Sequence, residues 1–189
     1  PRYREFLERF PGVADLARAE LADVLAVWGG LGYNRRARYL RDAARGIVTR
    51  VDGAVPPAVS DLVTLPGIGP YTAGAVRAFG FGLPAVFVET NIRRVFLQVF
   101  LQDQNDVPDR EIMRLVGATL DHEDPRQWYY ALMDYGAYLA RTHGNANRRS
   151  AHYRKQAPFE GSVRQVRGSV VRCLTATGPL PVSELEKLC

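Results

Sequence analysis

The chain has 189 residues, 47% of them apolar and 24% charged, enough for one substantial hydrophobic core or two small ones. No apolar run reaches the roughly 20 residues of a membrane helix and no signal-peptide pattern is present, so a soluble, intracellular, cytoplasmic protein is expected, with no membrane partner. An excess of 25 basic over 20 acidic residues gives +5 and a pI near 9.5, which suits an anionic partner without requiring one. Cys173 and Cys189 have no pairing or metal-ligand spacing, and neither do His122, His143 and His152, so no disulfide framework and no metal site is expected.

Apolar residues recur at helical spacing through residues 3–10, 21–28 and 37–51, and again through 72–79, 91–100 and 112–120. Alternating, strand-like runs are scarce, so the expected fold is all-α. Pro11-Gly12, Asp52-Gly53, Pro56-Pro57, residues 82–84 and residues 103–108 read as turns between these helices. Asp124-Pro125 reads as a cap followed by proline in the first turn, opening a helix through 138. A further helix is expected over 164–175, and a second start at Ser183 follows Gly178-Pro179-Leu180-Pro181. Trp28, Phe79, Trp128, Tyr129 and Tyr130 are assigned to the core by their spacing.

Two stretches carry chemistry. In Leu65-Pro66-Gly67-Ile68-Gly69-Pro70-Tyr71-Thr72-Ala73, two glycines two residues apart precede a helical pattern. Without side chains at Gly67 and Gly69 the loop can turn tightly and present backbone N–H groups, and the helix that follows offers its positive end to a phosphate. The same motif also serves as a plain connection between packed helices. In Phe87-Val88-Glu89-Thr90-Asn91-Ile92-Arg93-Arg94-Val95, a carboxylate sits between an apolar run and an arginine pair. Between Arg141 and Arg172 eight Arg or Lys face one acid, Glu160, a basic tract that reads either as a solvated linker or as phosphate-binding surface.

These two stretches together resemble the helix-hairpin-helix DNA glycosylases, the superfamily of endonuclease III and the MutY-type adenine glycosylases. Trp28-Gly29-Gly30-Leu31-Gly32-Tyr33-Asn34-Arg35-Arg36-Ala37-Arg38 is similar to the adenine-glycosylase segment ahead of the hairpin, and Ala131-Leu132-Met133-Asp134-Tyr135-Gly136-Ala137 to the helix that ends the catalytic core. The resemblance covers most of residues 1–140. It implies two helical subdomains with a cleft between them: residues 1–28 with 121–158 as one, residues 29–120 as the hairpin bundle, and 159–189 as an incomplete helical or winged-helix extension. Relatives carry another helix before this point, holding a general-acid glutamate and a wedging glutamine, and Pro1 is not an initiator residue.

The resemblance also implies roles. Glu89 takes the place of the catalytic aspartate that stabilises positive charge on the sugar as the base departs, although a helix N-terminal glutamate favoured by the dipole gives the same pattern. Glu89 is one methylene longer than that aspartate, and displacement by about 1 Å can cost on the order of 100-fold in rate. Tyr71 stands where endonuclease III has its Schiff-base lysine, and a phenol cannot form that adduct, so a monofunctional enzyme without β-lyase activity is expected. Tyr33 matches the tyrosine that MutY relatives insert beside the base opposite the target, or else is a core tyrosine at a helix start. Leu65, Gly67, Ile68, Gly69, Tyr71, Thr72, Tyr33, Arg35, Arg36, Arg148 and Arg149 form the expected DNA-binding set. A monovalent cation at the hairpin is implied as well.

The chain departs from the resemblance where most relatives place four cysteines that ligate a [4Fe–4S] cluster. The stretch 139–150 holds none, so no cluster is expected, and its arginines are candidates for replacing the ordering that a cluster loop provides. The expected partner is double-stranded DNA with a mispaired or damaged base, bound by a monomer. The expected reaction is excision of adenine opposite G or 8-oxoguanine. A thymine, uracil or modified-pyrimidine glycosylase and a non-catalytic DNA-binding module remain as alternatives.

Overall fold

A computed structural model describes residues 2–50 and 53–188, with the side chain of Leu188 undescribed. Pro1, Val51, Asp52 and Cys189 lie outside the described residues, and with them half of the Asp52-Gly53 turn and the last residue of the helix expected over 37–51. The described residues are helical, joined by turns and one isolated bridge between Val107 and Ser150.

The chain separates into two compact units. One comprises Pro1–Pro56, Thr64–Ile68 and Gln156–Cys189, the other Pro57–Val63 and Gly69–Lys155. This grouping differs from the division expected from the sequence in two ways. The helix after Asp124 packs along the helix after Glu89 within the second unit. The tail beyond 159, expected as a separate extension, joins the first unit by packing on one of its helices.

In the first unit α1 (Arg2–Arg9), α2 (Val13–Arg18), α3 (Leu21–Trp28) and α4 (Arg35–Arg50) enclose a core of Phe10, Leu16, Ala17, Val24, Trp28, Ala37 and Ala44. Arg45 Nε ties α4 to α2 through the Ala17 carbonyl at 2.8 Å. The Gly67 turn passes so close to α4 that a Cβ there would stand 2.4 Å from Tyr39. At the C-terminal end α10 (Val163–Thr177) packs on α3, with α11 (Val182–Leu188) beside it.

In the second unit the elements are α5 (Val59–Leu62), α6 (Pro70–Ala75), α7 (Thr90–Val99), α8 (Asp109–Thr119), α9 (Pro125–Thr142) and a 3-10 turn, Ala146–Arg149. Helix α7 buries Ile92, Val95, Phe96 and Leu97, the stripe its spacing dictates, and Ile92, Phe96 and Leu97 share a core with Ile112 and Val116 of α8 and Tyr129 of α9. Asp124 caps α9 by accepting from Gln127 N at 3.1 Å, with Pro125 in the first turn as expected. Tyr129 is fully buried, Trp128 packs against the core from a partly buried position, and Tyr130 is 48% exposed. That corrects the core assignment of Tyr130, since successive residues on a helix point about 100° apart and cannot all face one core.

The helix expected over 72–79 continues from α6 into a wider π turn at Val76–Gly80. Four hydrogen bonds accompany the change. Arg77 donates to the carbonyls of Pro84 at 2.9 Å and Pro57 at 2.8 Å, Arg126 to that of Gly80 at 3.2 Å, and Leu83 N to that of Arg77. Such single π turns recur near functional sites.

Beyond the apolar core, a close approach and an ion pair also tie α7 to its neighbours. At Gly136 α9 comes so close that a Cβ would lie 2.4 Å from the Asn91 carbonyl oxygen. Arg93 grips Asp109 at the start of α8 with two parallel bonds, Nε to Oδ1 at 2.8 Å and Nη2 to Oδ2 at 2.7 Å. This grip, foremost its hydrogen bonding, holds the Asp109 carboxyl below the usual carboxylate value.

Gly136→Ala should lower stability by about 1–3 kcal/mol through forced separation of α7 and α9. Calorimetry should show a melting temperature several degrees lower, and an unchanged one would contradict the close approach. Because the folded-state pKa of Asp109 is depressed, its contribution is full above its ordinary value of 3.8 and is lost as pH falls through the folded value. Asp109→Asn should therefore be less stable than wild type at neutral pH, with the difference shrinking in acid; a constant difference across pH 2–7 would remove Asp109 from this role.

Candidate functional site

Glu89 stands at the start of α7 in the second unit. It is the N-cap of α7 in an extended conformation, and its Oε1 accepts from Asn91 N at 2.5 Å and Ile92 N at 2.8 Å. The dipole-favoured reading of this glutamate is thus realised, and it does not exhaust the carboxylate. Both bonds go to one oxygen, and Oε2 has no hydrogen-bond partner among the described residues. A cap of this kind fixes the orientation of the side chain and keeps negative charge at the positive end of α7.

The backbone on either side is fixed independently. The Tyr129 ring stacks on Phe87 at 4.0 Å, its hydroxyl donates to the Ala85 carbonyl at 2.6 Å, and Phe87 N donates to the Tyr129 hydroxyl oxygen at 3.4 Å. Burial pushes the Tyr129 phenol up to about 12, so it remains a donor across ordinary pH. After the cap, Asn147 Nδ2 donates to the Thr90 carbonyl at 3.1 Å, from a side chain that is only 5% exposed. Arg94 Nη1 bridges the Asn91 side chain and the Gly136 carbonyl.

Tyr71 belongs to the same neighbourhood. Its ring meets Phe87 edge-on at 5.8 Å, two residues before Glu89, and it is 48% exposed. Gly74, one helical turn on, admits Phe87 against α6, since a Cβ there would fall 2.9 Å from that ring. Thr72 is half-buried on the same short helix.

In the first unit the turn 65–68 closes with Ile68 N donating to the Leu65 carbonyl at 3.1 Å and Gly67 at φ +76°. Proline second and a positive-φ glycine third make this a type II turn. The Leu65 side chain is 4% exposed, so its part in any contact is through the backbone. Gly69 caps α6 with backbone alone, followed by Pro70 at its first position. Arg35 and Arg36 are exposed on the first turn of α4, Arg36 lying 5.3 Å from the Trp28 ring. Tyr33 is no core residue, being 62% exposed with φ +50°. Its hydroxyl accepts from Gln156 Nε2 at 2.9 Å, and that bond, with Arg164 nearby, draws the phenol below the ordinary tyrosine value.

The two arginines of the basic tract part company. Arg148 is exposed, whereas Arg149 is committed to the fold, donating to the carbonyls of Leu97 at 2.6 Å and of Gln102. Around it Val107 N donates to the Arg149 carbonyl and Ala151 N to that of Val107, both at 2.9 Å. This clasp stands where the resemblance implies a [4Fe–4S] cluster. The residues do not fit one, since 139–150 contains no cysteine and Cys173 lies on α10 in the other unit. Among the described residues, no group of three or more His, Cys, Asp or Glu is placed to hold a metal ion. Sequence reasoning missed Tyr129, Asn147 and Gln156 as supports; a glycine inside a helical pattern, Gly136, was the available signal for the α7–α9 contact.

The sequence pattern described as the HhH-GPD superfamily base excision DNA repair protein matches residues 1–118. Adenine DNA glycosylase of Mycolicibacterium smegmatis is 32% identical over 98% of this chain and 69% of its own length, and that of Mycobacterium tuberculosis 34% over 96% and 66%. Adenine DNA glycosylase of Buchnera aphidicola is 33% identical over 74% of this chain; there the chain spans only 40% of the relative. Among solved structures, a thermostable thymine-DNA glycosylase superposes with a TM-score of 0.63 at 25% identity, covering 72% of this chain and 64% of that one. An endonuclease III–DNA covalent intermediate superposes with a TM-score of 0.61 at 22% identity, covering 88% and 72%, a likeness of fold. With the pattern matched over most of its length and its helices arranged as in those structures, this chain belongs to the HhH-GPD superfamily of base excision DNA repair proteins.

Proposed function

We propose that this chain is the catalytic portion of a monofunctional DNA glycosylase that extrudes a mispaired base, most closely adenine opposite G or 8-oxoguanine, and hydrolyses its glycosidic bond. The observation that carries this reading is the Glu89 carboxylate, oriented through one oxygen by the start of α7 and open at the other. As the base leaves, positive charge grows on the sugar ring, and a preoriented carboxylate stabilises that charge without reorganising. The 32–34% identity to relatives named adenine DNA glycosylase supports adenine as the base.

The remaining residues supply binding. The N–H groups of Gly67, Ile68 and Gly69, with the start of α6 at Tyr71 and Thr72, face a phosphate in this reading, and Leu65 contributes backbone only. Arg35, Arg36 and Arg148, all exposed, contact further phosphates. Arg149 is left out because its guanidinium is occupied. A monovalent cation would be held by backbone carbonyls of the 65–68 turn, the donor type such an ion takes, and would add positive charge beside the phosphate. Tyr33 fills the gap left by the extruded nucleotide, offsetting part of the few kcal/mol that extrusion costs. Tyr71, lacking an amine, leaves the strand uncut. The protein acts as a monomer inside the cell, where its duplex substrate is.

A second reading, excision of thymine, uracil or a modified pyrimidine, is favoured by the likeness to a thymine-DNA glycosylase. The deciding assay incubates the full-length protein with duplexes carrying A opposite 8-oxoguanine, A opposite G, T or U opposite G, and 5-hydroxymethyluracil. Strand breaks that appear only after alkali are expected, and the duplex cut names the base; breaks without alkali would contradict the monofunctional reading, and no product on any duplex would favour a non-catalytic binding module. Glu89→Gln should reduce excision on the order of 100-fold or more while duplex affinity stays near wild type. Unchanged excision would take Glu89 out of the chemistry.

A further inference from the structure

Tyr33 is an exposed aromatic fixed at both ends. Its backbone occupies the left-handed region at φ +50°, after Gly30 at φ +84° and Gly32 at φ +68°. A tyrosine persists there only where its surroundings determine it. On the backbone side Trp28 Nε1 donates to the Gly32 carbonyl at 3.0 Å. On the far side Gln156 Nε2 donates to the phenol oxygen at 2.9 Å, although Gln156 is remote in sequence.

The segment that brings Gln156 there is itself built. Arg164 Nη2 donates to the Ala157 carbonyl at 2.6 Å and its guanidinium lies 6.0 Å from the Phe159 ring, while Ser162 caps α10. Arg164 also acts on the Tyr33 phenol, in the same direction as Gln156. Because the phenol oxygen accepts from Gln156, its own proton remains available to donate outward.

We propose, on the glycosylase reading above, that Gln156 and Arg164 are positioning residues that preset the Tyr33 ring and hydroxyl for insertion into the duplex. A ring already held in place loses less rotamer freedom on insertion than a free one, so the hold appears as preference for the mispaired duplex. Nothing about Gln156 beyond this contact calls for an amide, since it is exposed and lies outside the helices.

Two measurements on the whole chain test this. In protein labelled with carbon-13 at the tyrosine ζ position, the Tyr33 resonance, identified by its absence in Tyr33→Phe, should titrate below the ordinary tyrosine value and move back up in Gln156→Ala. Binding of a duplex with A opposite 8-oxoguanine, set against the same duplex fully matched, should lose about fivefold of its preference in Tyr33→Phe and in Gln156→Ala, the worth of one hydrogen bond. The double variant should lose no more than either single one. Tyr33 titrating at the ordinary tyrosine value in the wild type, or losses that multiply in the double variant, would overturn the proposal. A wild type that binds both duplexes equally would overturn the glycosylase reading instead, and the titration would still decide whether Gln156 holds the phenol.

Discussion

One buried hydroxyl does more than any other group to set the candidate site. Tyr129 sits at zero exposure with its ring on Phe87, and it satisfies the backbone of the extended segment that delivers Glu89 to the start of α7. Such a segment carries backbone groups that no helix ladder can pair, and leaving one of them buried and unmet costs about 1–3 kcal/mol. A phenylalanine would fill the same space and leave that backbone unpaired. The apolar core and the candidate chemistry therefore share a single side chain.

Support of Glu89 comes from three elements, two of them distant in sequence. Helix α9 supplies Tyr129 and the Gly136 contact, the 3-10 turn supplies Asn147, and α7 supplies the amides that hold the carboxylate. The Glu89 side chain folds back so that Oε1 meets those amides. Cap and carboxylate are then one feature, since the bonds that close the helix end also aim the oxygen that remains open.

Much of this was legible in the residues. The 3.6-residue spacing of Ile92, Val95 and Phe96, the Asp124-Pro125 start and the proline-glycine order of the 65–68 turn each report a local rule that the fold obeys. Short elements such as α2 and α5 were not legible, because a single turn has too few residues to show a period. The engagement of Arg149 was not legible: an arginine in a basic tract looks alike whether its guanidinium meets solvent or the carbonyls of Leu97 and Gln102, and only the folded path of the chain decides. The pairing of Tyr33 with Gln156 was beyond reach for a similar reason, since no periodicity links residues so far apart.

The clasp between Val107 and Ser150 closes a loop of chain that contains α8 and α9. Closing a long loop costs chain entropy, and a cluster would meet that cost with metal–thiolate bonds that must be assembled and that oxidants attack. Here the closure is made from peptide groups and one guanidinium, all supplied by the polypeptide as it folds. The two ends of this loop are thus coupled through the same hydrogen bonds, and the parts they join should open and close together.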